Sequence, residues 1–224
     1  MKLKLFTAPY FLFLIVLFSC VGQNNNVFIP DPDFSVYAFD KTIVIGNIID
    51  SRDGVSAELF PEWLLVFLSE GVRAAEITES YSDKYLFIAK NDGENFTVLN
   101  KWAQNMSATH DLSVLVGNRI EERMILNASL YPDDEYGEFF RLFIKDAFSA
   151  EYPTAVKEDI YWIKHSQPEV YTFFIKFTVD KNVMQQVLRR MMSQAYAQAY
   201  SAAASGGSQA ATVNRLRQTF FEGF

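Results

Sequence analysis

Histidine and cysteine are nearly missing from this chain of 224 residues, which has two of the first and one of the second. A single cysteine excludes a disulfide within the chain and a cysteine cluster for zinc. Two histidines leave little room for histidine-based catalysis, and His110 and His165 both read as exposed turn residues. No G-x-S-x-G elbow, H-E-x-x-H pair, P-loop or dinucleotide fingerprint is present. Basic stretches are scarce as well. The formal charge is −7, and an acidic surface repels phosphate backbones, so nucleic acid is not expected as a partner. Charges of both signs are mixed in stretches such as "RIEERM" and "IKDAF", the pattern of solvated helix faces.

Apolar residues are not scarce. They make up 50% of the chain, with Phe alone at 21, enough for a large core in one ordinary domain. A single long apolar run stands near the start. Lys2 and Lys4 precede it, and Leu5 to Phe18 is interrupted only by Thr7, Ala8 and Pro9. That run matches the apolar segment of a signal peptide and falls short of the roughly 20 residues a spanning helix needs. Ser19 and Cys20 follow, then the polar "VGQNNN". With Leu17 and Ser19 before Cys20, the stretch resembles the lipobox of bacterial lipoproteins, although Phe18 is bulkier than the small residue usual there.

That resemblance implies a signal peptide over residues 1–19 and lipid chains on Cys20, the first residue of the mature protein. Its removal would delete Lys2 and Lys4 and no acid, taking the charge from −7 to −9. Acyl chains on Cys20 would hold the protein to a bilayer, at about 0.8 kcal/mol per buried methylene. Val21, in place of an acidic residue, favours the outer membrane of a bacterial cell envelope. Residues 20–33 then read as a tether stiffened by Pro30 and Pro32.

Beyond the tether, residues 34–204 are expected to form one domain, with a linker and a short helix over 205–224. "SVYAF" and "KTIVIGNII" predict strands, followed by the turn "DSRDG". "PEWLLVFLSEG" predicts a helix opened by Pro61 and closed by Gly71, and "KYLFIAKNDG" a strand. Phe96, Leu99, Trp102, Ala103 and Met106 keep helical spacing. Asp111 is the expected N-cap of a helix whose apolar line is Leu112, Val116, Ile120, Met124 and Ala128. Tyr136, Phe139, Phe140, Phe143 and Phe148 form a further stripe, expected in the core. Tyr171 to Val179 alternates as a strand, in a hairpin with "IYWI". Asp180 is expected to cap a long helix buried through Met184, Val187, Leu188, Met191, Ala195 and Ala199. The order predicts an α+β fold: a mixed or antiparallel sheet packed against several helices, with a long C-terminal helix.

Candidate chemistry is thin. Asp133, Asp134, Glu135 and Glu138 are the densest acids, and their spacing suits a helix's first turn better than a calcium loop. No catalytic, cofactor or metal set is read from the sequence. "YLFIAK", "LSVLVGNRI" and the aromatic hairpin from Tyr161 to Leu188, within residues 80–190, resemble the twenty-kilodalton lipoprotein family of bacterial outer membranes, which includes flagellum-associated members. The resemblance implies a small α/β fold and a structural or binding role, and carries over no functional residue except Cys20. The expected function is therefore a non-enzymatic envelope lipoprotein, attached to the membrane through Cys20 and binding other envelope proteins. The alternatives are a carboxylate-based glycan or peptidoglycan hydrolase and a binder of small apolar ligands.

Overall fold

The computed structural model describes residues 47–130, 137–200, 216–221 and 224. The expected signal peptide and tether, the strand "SVYAF", most of "KTIVIGNII" and the stretch from 131 to 136 lie outside the described residues.

Among the described residues the sheet has four strands in the order β1-β3-β4-β2, and every neighbouring pair is antiparallel. They are β1 (Ile48–Ser51), β2 (Lys84–Gly93), β3 (Val156–His165) and β4 (Tyr171–Asp180). In β4, "YTFFIKFTVD", β-branched and aromatic residues fit a pleated surface with neighbours on both sides. It runs beside β2 from Gly93↔Tyr171 to Lys84↔Asp180, and beside β3 through the hairpin. A register shift between Lys157 and Asp159 marks a bulge at Glu158.

Helices cover both faces of this sheet. On one lie α1 (Glu62–Glu70) and α2 (Val72–Glu76); on the other lie α3 (Phe96–Asn105), α4 (Asp111–Leu130), α5 (Gly137–Ser149) and α6 (Lys181–Tyr200). The period of two decides the split. Tyr85, Phe87 and Ala89 of β2, with Phe173, Ile175, Phe177 and Val179 of β4, join the larger core against α3–α6. Leu86, Ile88 and Phe174 face the other way, with Tyr161 and Ile163 of β3. There they meet Phe60, Trp63, Leu64 and Phe67. The expected α+β architecture is the observed one, with an antiparallel sheet between two helical layers.

Helix ends follow local chemistry. Asn95 Oδ1 accepts the Val98 N–H at 3.1 Å and caps α3; Asp180 Oδ1 accepts the Val183 N–H at 2.9 Å and caps α6. Gly71, at φ +86°, ends α1. Asp111 differs from expectation. It is the first residue of α4, and its carboxylate reaches back to the Ser107 N–H at 2.6 Å, because the preceding turn already brings the Asp111 N–H to the Ser107 carbonyl.

Leu112, Val116, Ile120 and Met124 of α4 are all buried, as are Phe139 and Phe143 of α5. The two helices touch closely at Gly117, where an added Cβ would lie 2.6 Å from the Phe148 ring. Residues 216–219 form a last helical turn. Phe220 and Phe224 beyond it enter the larger core, so this terminal segment packs with the main body.

Candidate functional site

The face of the sheet beneath α1 carries an unusual load of polar residues for a buried surface. Lys176, Thr172 and Thr178 of the central strand are all buried there. Alternation puts them on the side of Phe174, opposite the larger core.

Lys176 is held by Glu158 and two aromatic rings. Its Nζ lies 3.1 Å from Glu158 Oε2 and donates to the Tyr81 hydroxyl at 2.8 Å. The ammonium also stands 5.4 Å from the Trp63 ring centre and 5.1 Å from that of Tyr81. The bulge in β3 turns Glu158 onto this face, where its Oε1 accepts from Thr178 Oγ1 at 2.6 Å and from Lys84 Nζ at 2.9 Å. Burial alone would raise the Glu158 carboxyl. The hydrogen bonds from Thr178, Lys84 and Lys176 outweigh burial and hold it at about 2. Beside it, Asp159 accepts from Trp63 Nε1 at 3.1 Å and pairs with Arg52 at 2.6 Å, and Arg52 lies over the Tyr161 ring.

At the other end of the same face, Thr172 Oγ1 donates to Asp92 Oδ1 at 2.6 Å and lies 3.1 Å from His165 Nε2. With its hydroxyl proton given to Asp92, Thr172 accepts from His165. His165 is the last residue of β3 and half-buried, where an exposed turn position was expected; its N–H bonds the Val170 carbonyl across the hairpin. Burial lowers the His165 imidazole, and Lys90 adds to this against an opposing pull from Asp92.

The outer edge of β2 is closed by an ion pair. Leu86 N–H donates to Glu76 Oε1 at 2.8 Å, and Arg119 reaches the Leu86 carbonyl at 3.4 Å. Arg119 and Glu76 bind each other at 2.6 and 2.9 Å, with side chains 11% and 7% exposed. Two groups of the edge strand that would template another strand are thereby satisfied.

Of the residues singled out from the sequence, Cys20, Asp133, Asp134 and Glu135 lie outside the described residues. Glu138 is exposed in the first turn of α5 and forms a two-pronged pair with Arg141, which lowers its carboxyl. His110 is exposed, and its carbonyl accepts from Ser113. Neither Glu138 nor His110 shares a hydrogen bond or ion pair with the polar seam around Glu158. The alternation of Tyr171 to Val179 puts Lys176 on the face of Phe174 without assigning it a partner, although a lysine inside an aromatic strand is itself a signal. Glu158 gives no such signal, since a bulge decides its direction. Among the described residues no group of three His, Cys, Asp or Glu is placed to hold a metal ion. No helix among them is long and apolar enough to cross a membrane.

In chemical terms the seam locks charge in place. Glu158 accepts from three donors and stays ionised at neutral pH, so it cannot serve as the raised-pKa acid of glycoside cleavage. Lys176 and Arg119 are each engaged by a carboxylate. The chain matches no protein-family model, no curated protein and no solved structure.

Proposed function

We propose that this is a lipid-anchored protein of the bacterial cell envelope, held to the membrane through Cys20, with a structural or binding role and no catalysis of its own. The observation that carries the reading is the sequence around Cys20: Lys2 and Lys4, the apolar run to Phe18, and Ser19 before the cysteine. Outer-membrane placement rests on Val21.

What favours a structural role is the engagement of charge within the fold. Glu138 and Glu158, acids of the kind a hydrolase would use, are both engaged by cations and held low. The Glu76–Arg119 pair closes the β2 edge and the Lys176–Glu158 pair ties β3 to β4, which suits a domain that presents surfaces to other envelope proteins.

Metabolic labelling tests the anchor. Cells producing the protein are fed an alkyne-tagged fatty acid, and label is expected on the native chain and absent from Cys20→Ser. An unlabelled native chain, or equal label on both, overturns the proposal.

A further inference from the structure

The last described residues behave as a bound peptide. Leu216, Phe220 and Phe224 are 1%, 0% and 7% exposed, yet the stretch adds no strand to the sheet. Four elements line its groove. Phe143 of α5 meets Phe220 edge-on at 5.5 Å, and Tyr85 of β2 meets Phe224 at 5.3 Å. Arg119 of α4 lies 4.8 Å from the Phe224 ring centre, and Arg189 of α6 lies 4.4 Å from that of Phe221. Polar contacts set the register: Arg123 donates to the Thr219 carbonyl at 3.4 Å, and Arg217 to Ser193 Oγ at 2.9 Å.

We propose that this groove also takes the same segment from a second copy of the chain, so that copies pair by exchanging the segment that carries Leu216, Phe220 and Phe224. The groove is matched to this sequence ring by ring, and the contacts made within one chain or between two are the same. Exchange therefore costs little contact energy, and concentration decides the balance. Fifteen residues, "SAAASGGSQAATVNR", separate Tyr200 from Leu216. Fully extended, that length reaches about 50 Å, far enough to cross to a neighbouring domain. Attachment in one chain corresponds to an effective concentration on the order of millimolar, so pairing is expected where copies are crowded to that level. This inference does not depend on the anchor at Cys20, and its test is done without it.

Arg217 and Ser193 provide the test. In full chains carrying Cys20→Ser, purified in mild detergent, the only thiols are those introduced. A chain with both Ser193→Cys and Arg217→Cys is expected to be joined internally by a short bismaleimide when dilute. Mixing a Ser193→Cys chain with an Arg217→Cys chain is expected to give a cross-linked heterodimer whose yield rises with concentration. Adding Phe220→Ala to the Arg217→Cys chain is expected to lower that yield at least tenfold. Internal joining in the double variant with no heterodimer at millimolar chain overturns the proposal, as does a heterodimer indifferent to Phe220→Ala.

Discussion

At Glu158, burial and hydrogen bonding pull in opposite directions, and the three donors prevail. Its carboxyl is held at about 2, below the ordinary 4.5. The stability it contributes is complete above about 4.5 and is lost as pH falls toward 2. The full shift corresponds to about 3 kcal/mol, but its side chain is 21% open to water, which reduces the expected contribution to about 1–2 kcal/mol. Glu158→Gln should remove that acid limb, measured as urea midpoints between pH 5 and pH 2. His165 acts in a separate window. Because burial lowers its imidazole, the unfolded chain takes up the proton first, and stability should fall as pH drops below about 6.5. In His165→Gln, unfolding midpoints between pH 7 and pH 5 should become flat, and an unchanged slope would contradict the assignment. Neither group is legible from composition. A bulge turns one inward, and strand pairing half-buries the other.

Elements were far more legible than their partners. The limits of β2 and β4 and the Asp180 cap follow directly from alternation and capping rules, because these are local. Which helices lie on which face depends on long-range pairing, and the sequence order alone does not decide it. Two close approaches between elements have measurable consequences. Gly117→Ala should gain the usual helical preference of about 1 kcal/mol. It should nevertheless destabilise overall by about 1–3 kcal/mol, since the new methyl meets the Phe148 ring at 2.6 Å. Adding Phe148→Ala should cost less than the sum of the single changes, as a double-mutant cycle in denaturant would show. At the β2 edge, Glu76→Ala leaves Arg119 without its carboxylate and uncovers the Leu86 N–H. A loss of about 3–5 kcal/mol is expected, partly recovered in Glu76→Met with Arg119→Met.

For the whole molecule, the sheet and its two helical layers form a charge-locked body to which the aromatic segment around Phe220 is docked. The α+β class was legible because strands and helices differ in period along the chain. The docking of Phe220 and Phe224 was not, since "FFEGF" has no period long enough to place it. The functional proposal rests on the opposite end of the chain, at Cys20, and on the chemistry of a thiol that a cleaved apolar leader would deliver to a membrane surface. Intact-mass and peptide mass spectrometry of the protein extracted from its own membranes tests this directly. The account predicts a mature chain beginning at Cys20, with a diacylglyceryl group on its sulfur and an acyl chain on its amino group. A chain still beginning at Met1, or an unmodified thiol at Cys20, would contradict it.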